Sequence, residues 1–487
     1  MTAALGALPI AVVLAAMAGL GWPAARAGAL GLTLAAILAV TVFGLGAGGL
    51  GATTFGIVAE AAHTTAIILW IVLPALMLHA YGQGTGGVAR LRDALAGITA
   101  KPRAQVVLIA WFFGLFMEGA AGFGAPVALA APLLVGLGIP PVRAVAAALL
   151  GHASGVSFGA VGTPALALGE VGGLDPAALA LPMAALHGLS GGVLLLATVR
   201  VAVPERLDGA ALRFCALAAV LFLAPHAALA WATGPELPTL GAALLGGAAF
   251  AAWLRRGAPS PPSQRNVLPD LAPYLAVVGL ILASRLIPPL RDALTTWELA
   301  WTLPGGFAGT VVPLFHPGTF LLVGLALAAL ATGRAAALAP AGATALGRLL
   351  PVAAALGTMI LLARVMVHSG MVEALARAAA GLGPAWPVLA PSVGALGTFV
   401  TGSATASNVL FGPLQADAAA TAGWPATIML AAQGYGAAIG NVVAPHNIVA
   451  GAAAVGLAAR ESAILRQTGL PALAVLAAAG GLVLLIA

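Results

Sequence analysis

Charge is what this 487-residue chain has least of: Asp, Glu, Lys and Arg together make up 7% of it. Soluble domains carry roughly 25% charged residues, so a water-facing globule is excluded. With 61% hydrophobic residues and a mean hydropathy of +1.08, the chain reads as an integral membrane protein. Cysteine is nearly absent too. Cys215 stands alone inside an apolar run, so neither a disulfide framework nor a cysteine metal cluster can form. No HExxH motif occurs, and no metal or cofactor is expected. The short alternating segments of a transmembrane β-barrel are missing. Residues 1–21 lack a basic leader, which predicts a first transmembrane helix and not a cleaved signal peptide.

What is present is a series of apolar runs near twenty residues long, the signature of a polytopic helical bundle. The 20 Lys and Arg outnumber the 14 Asp and Glu and fall between those runs. They cluster at Arg26, at 90–103, at 200–213, at 255–265, at Arg334 and Arg348, and at Arg460 and Arg466. Placing these clusters in the cytoplasm satisfies the positive-inside rule and predicts both termini outside. In a membrane protein this excess sets orientation, so no nucleic-acid partner is expected. The expected partners are the lipid bilayer and a small solute, and a homodimer is allowed.

One apolar stretch is interrupted by Glu118-Gly-Ala-Ala-Gly-Phe-Gly-Ala-Pro126. Non-helical backbone at membrane depth survives only where protein buries it or a cavity hydrates it. An intramembrane carboxylate is a functional-site hypothesis by default. Loop-charge parity predicts a re-entrant hairpin over about 104–138 with this segment at its tip. The same parity makes about 384–422 a second hairpin with Thr401–Asn408 at its tip, opening to the opposite side. Two full spans per hairpin would satisfy parity equally. The short 127–138 block favours re-entrance, since a span needs roughly twenty residues.

The two halves echo each other. Ala125-Pro126, Gly138-Ile-Pro140 and Phe158-Gly-Ala-Val-Gly-Thr-Pro164 reappear as Gly412-Pro413, Gly423-Trp-Pro425 and Gly440-Asn-Val-Val-Ala-Pro445. Inverted repeats with Gly/Pro-broken segments at matching places point to the midplane site of a secondary transporter. The expected architecture is all-α: about 12 transmembrane helices plus two re-entrant hairpins in an inverted repeat. The first half would be 1–254, a cytoplasmic linker 255–270, and the second half 271–487.

Candidate binding residues follow from this layout. Thr401, Gly402, Ser403, Thr405, Ser407 and Asn408 combine hydroxyls and an amide at a helix break, where free N–H groups favour an anion. The plainer role for such residues is glue between helices. Gly122, Phe123 and Gly124 form the facing tip. Arg364, alone in the run 349–369, suits a carboxylate, or else an ion pair with Glu118 or Glu60. Glu118, His63 and His446 are the candidate proton carriers, with His63 one helical turn from Glu60. Two motif matches lack context. Gly46-Ala-Gly-Gly-Leu-Gly51 has no βαβ unit around it. Gly155-Val-Ser-Phe-Gly159 would make Ser157 a nucleophile with His152 or His187 as base, but lacks the required strand-turn-helix.

At these residues the chain resembles the bacterial lactate permease family. The matching stretches are Glu118–Ala128, Phe158–Pro164, Thr401–Gln415, and Gly440 through Pro445 and Ile448 to Val455-Gly456. Glu461 and Leu465-Arg466 follow the last of these, whereas 205–330 carries no such motif. The resemblance implies uptake of lactate or glycolate with protons and a fold like that of ion transporters with paired hairpins. Three positions depart from the family pattern: Ala404 stands for an Asp, Asn441 for a Lys and His446 for a Gln. Losing an acid and a base together implies a charge pair removed in concert, and it leaves Glu118 as the leading acid. The expected function is proton symport of a small 2-hydroxy-monocarboxylate across the bacterial cytoplasmic membrane. A Na⁺-coupled carrier of another anion, such as a dicarboxylate, is the alternative, and a serine hydrolase the remote one.

Overall fold

In hydrocarbon every backbone N–H and C=O must find its partner within its own segment, and a helix achieves that. The computed structural model describes residues 2–46, 49–122, 124–204, 208–256, 266–457 and 460–487, most of them helical. Ten helices among these residues are long and apolar enough to cross a membrane. Shorter apolar helices run over Thr2–Met17, Ala125–Gly136, Pro317–Ala331 and Ala385–Thr401. The chain is an α-helical multi-pass membrane protein.

Each half holds a helical hairpin followed by a broken helix. The first hairpin pairs Pro102–Ala120 with Ala125–Gly136, the former widening into a π-helical stretch over Val107–Phe113. At 1.5 Å per residue its arms are roughly 28 and 18 Å long. The second hairpin pairs Ala385–Thr401 with Ala404–Ala422. The broken helices are Pro141–Gly172 and Ala426–Ala454.

The halves are interleaved and do not sit side by side. The long helix Leu50–Gly84 of the first half makes its broadest contact with Leu338–His368 of the second, and Ala24–Thr41 packs on the same partner. Helix Gly159–Gly172 likewise lies along Ala404–Ala422. Small residues allow the closest approaches. Gly436 and Gly440, one turn apart on Ala426–Gly440, sit on the carbonyls of Pro391 and Ala395. Of the expected linker 255–270, residues 257–265 lie outside the described residues; helices end at Arg255 and resume at Leu268 on either side.

The stretch 289–317 carries a short β-ribbon. Strands β1, Leu299–Leu303, and β2, Phe307–Val311, pair antiparallel from Leu299↔Val311 to Leu303↔Phe307. Gly305 and Gly306 turn the ribbon with φ of 94° and 85°. Three-residue hairpin loops take left-handed glycine readily. The ribbon lies on helix Leu50–Gly84, its Phe307 ring filling the space above Gly56.

Candidate functional site

The centre of the molecule is the break in helix Pro141–Gly172. After His152 the chain tightens into a 3₁₀ turn over Ala153–Phe158. It then passes through Ala160 (φ 43°), Val161 (φ 54°) and Gly162 (φ 85°) before the helix resumes. Left-handed backbone costs an L-residue about 1–2 kcal/mol, and for a β-branched residue it is a genuine outlier. Such strain persists only where the surroundings impose it. Here side chains answer the carbonyls that the break frees. Thr239 Oγ1 donates to Gly155 O (2.8 Å), Thr163 Oγ1 to Ala160 O (2.7 Å), and Asn408 Nδ2 to Pro164 O (3.0 Å).

The first hairpin brings its tip onto this break. Glu118 is buried, and its carboxylate lies directly over Gly159, where any side chain would collide with it. Gly122 (φ 55°) approaches Ala160 from the same side. His152 Nε2 stands 3.9 Å from Glu118 Oε2, while Nδ1 is 2.7 Å from Ala148 O. A carbonyl only accepts, so Nδ1 carries a proton and Nε2 is the nitrogen that faces the acid. At this separation the two are not hydrogen-bonded, and either the carboxyl or Nε2 can carry a proton. The sequence offered His152 only as a possible base for Ser157. Phe123 lies outside the described residues.

The second tip meets the same break from the other hairpin. Ala404 packs with Val156, Ala437 and Ala438 in a small apolar cluster, and Asn408 reaches Pro164 as described. Gly402 (φ 71°) makes the turn, with His446 resting against it. Ser403 caps the returning helix by accepting from Ala406 N–H (3.2 Å). Thr401 Oγ1 donates to Gly397 O (2.8 Å) and Ser403 O (3.1 Å). Thr401, Gly402 and Ser403 are half-buried at the open end of the tip, and Thr405 is buried.

Deeper in, Ser407 and Asn408 join helices. Ser407 Oγ donates to Gly394 O (2.7 Å), and Gln433 Nε2 donates to Ser407 Oγ (3.3 Å) and Asn408 Oδ1 (3.5 Å). Gln433 in turn accepts from Gln415 (3.4 Å), whose own oxygen accepts from Trp386 (3.1 Å). Gln433 went unnoticed in the sequence because an isolated glutamine in an apolar run has no local pattern to mark it.

Two predicted residues make their contacts on helix Leu50–Gly84 and the ribbon. Arg364 is turned to helix Leu50–Gly84, where Nη2 donates to Thr64 (3.3 Å) and Nη1 lies 4.0 Å from Glu60. The pairing of Leu50–Gly84 with Leu338–His368 imposes this position, which matches the ion-pair alternative with Glu60. Glu60 also meets His368 Nε2 at 2.8 Å. His63 has both nitrogens engaged by the ribbon: Nδ1 accepts from Trp301 (3.1 Å) and Nε2 donates to Thr310 O (3.2 Å). That leaves no lone pair free for relaying a proton.

Ser157 does meet His187, at 2.8 Å. Its hydroxyl hydrogen, however, goes to Gly434 O (3.1 Å), so the imidazole must donate and cannot act as the serine's base. His187 Nδ1 has no hydrogen-bond partner, so no acid orients it.

A family model, L-lactate permease, matches residues 2–265 and 312–487. The unmatched stretch holds helix Leu268–Leu286 and the ribbon. The chain is 30% identical over 453 residues to the L-lactate permease of Salmonella typhimurium, covering 82% of this chain and 81% of that one. It is 28% identical over 473 residues to the glycolate permease GlcA of Escherichia coli, with the same coverage. Among solved structures, MtrF of Neisseria gonorrhoeae, from a class of antimetabolite efflux pumps, superposes with a TM-score of 0.50 at 16% identity, over 91% of this chain and 85% of that one. The YdaH transporter of Alcanivorax borkumensis gives 0.50 at 14% identity, over 91% and 89%. At such identities the likeness is one of fold.

Proposed function

The chain belongs to the L-lactate permease family and is a transporter, not an enzyme; on that premise we propose that it moves a small 2-hydroxy-monocarboxylate, lactate or glycolate, by proton symport. The membrane would be the cytoplasmic one, with the basic loops inside and both termini outside. The observation that carries the reading is that both hairpin tips converge on one break in helix Pro141–Gly172. Glu118 and Gly122 reach Gly159 and Ala160, while Ala404 and Asn408 reach Val156 and Pro164. The substrate carboxylate would sit between the tips, near the helix start capped by Ser403, where free N–H groups and the helix dipole favour an anion. Thr401 and His446 border that opening. The proton would ride on the Glu118–His152 pair.

Uptake of labelled lactate into proteoliposomes tests this. A proton gradient, alkaline inside, should drive accumulation, and a proton ionophore should abolish it. Accumulation that follows a Na⁺ gradient and ignores the ionophore would overturn proton symport. Absence of lactate and glycolate uptake under either gradient would overturn the substrate class.

A further inference from the structure

Away from the helix break, Asp270 opens helix Leu268–Leu286 with its carboxylate buried (1% exposed) between two arginines. Arg90, on the short helix Gly87–Ala96, donates Nε to Oδ2 (2.8 Å) and Nη2 to Oδ1 (2.6 Å). Arg334, in the connection between helices Pro317–Ala331 and Leu338–His368, donates Nη1 to the same Oδ1 (2.7 Å). Two guanidiniums share one carboxylate, so the triad keeps a net charge of +1. Both arginines are about a third exposed, 32% and 30%. They line a cavity of about 420 Å³ with Thr85, Ala336 and Ala337.

The two helices that Arg334 connects carry exposed hydrocarbon. Val323, Leu327 and Leu330 are exposed along Pro317–Ala331 at i, i+4 and i+7, a single face ending just before Arg334. Leu346 and Leu350 are exposed one turn apart on Leu338–His368, whose start follows the same connection. The fork of Arg90 is taken by Asp270 and Thr85 O, while Arg334 gives Asp270 only Nη1. A guanidinium's further N–H groups match a phosphate. A free anion would need only those groups, whereas apolar stripes on both flanking helices suit something with acyl chains. Basic pockets between transmembrane helices take anionic headgroups for this reason.

The geometry points to an anionic phospholipid site: the phosphodiester binds Arg334 and Arg90 in this cavity, and the acyl chains lie along Val323/Leu327/Leu330 and Leu346/Leu350. The site is independent of the transport reading, because none of its residues touches the hairpin tips.

The test uses the full-length protein in neutral detergent, with bound lipid counted by native mass spectrometry and stability followed by thermal unfolding. Dioleoyl-phosphatidylglycerol should be retained and raise the unfolding midpoint, and dioleoyl-phosphatidylcholine should do neither. Arg334→Gln, which leaves the two-pronged Arg90–Asp270 pair in place, should weaken phosphatidylglycerol retention about fivefold or more. Arg334→Lys, which keeps the charge without the fork, should fall between and controls for folding. Equal retention of the two lipids, or unchanged retention in Arg334→Gln, would overturn the site. Glycerol 1-phosphate or lactate matching the effect of phosphatidylglycerol would also overturn it, by assigning the cavity to a soluble anion.

Discussion

His152 is oriented by one backbone contact, and that contact turns its second nitrogen toward Glu118. The Ala148 carbonyl fixes Nδ1–H, so Nε2 and the carboxyl, 3.9 Å apart, are the two groups that can take up a proton. If this pair couples transport, Glu118→Gln should leave lactate exchange measurable while flattening the pH dependence of net uptake. Initial rates in proteoliposomes between about pH 5.5 and 8, the range where carboxyl–imidazole pairs exchange protons, check it. An unchanged profile would remove Glu118 from coupling. Glu118 was legible in the sequence because a carboxylate among glycines has no other business in an apolar run. His152 was not: what distinguishes it is a carbonyl one turn back and an acid from another element, and neither leaves a mark at its own position. For Arg364 the sequence left two readings, a substrate carboxylate or an ion pair, and the structure puts Glu60 4.0 Å from it. Its second partner, Thr64, three hundred residues earlier, is a neutral hydroxyl with nothing local to mark it.

The elements that break were the easiest to read, because glycine and proline announce them. Gly402 shows why the residue type is needed: φ is 71° and the His446 side chain occupies the space a Cβ would take. Gly402→Ala should therefore destabilise the protein by about 1–2 kcal/mol, seen as a lowered unfolding midpoint in detergent. It should reduce uptake further than that loss of folded protein explains, since the turn sets the helix start at Ser403. Alanine at the exposed, right-handed Gly347 inside helix Leu338–His368 is the matched control; it should leave uptake unchanged and hold or slightly raise the midpoint. The ribbon at 299–311 was the element least legible beforehand. Strand pairing is non-local, and Pro304-Gly305-Gly306 reads equally well as loop. Its anchoring explains why His63 looked like a relay: a histidine near Glu60 on one face suggests proton traffic until Trp301 and Thr310 are seen to occupy both nitrogens.

At the scale of the whole molecule, helix Leu268–Leu286 is fastened at both ends to the first half. Asp270 binds Arg90 at one end, and Arg285 pairs with the buried Glu236 at the other while lying over the Phe315 ring at 3.6 Å. Removing one member of a buried pair strands a charge and costs about 3–5 kcal/mol, whereas replacing both with apolar residues is often close to neutral. Glu236→Leu alone should thus lower the unfolding midpoint sharply, and adding Arg285→Met should restore most of the loss. A double variant no better than the single one would show that the pair contributes little beyond packing. The membrane class and the order of hairpins and broken helices could be read from composition and punctuation. The interleaving could not, since apolar helix faces carry no label for their partners. That interleaving bears on how the protein is made. Helix Leu50–Gly84 leaves the ribosome with its principal packing surface unfilled, because Leu338–His368 follows roughly 250 residues later. At roughly 5–20 residues per second the first half waits on the order of 10–50 s in the bilayer before it can close, so its early helices must be apolar enough to be stable as lipid-solvated spans on their own.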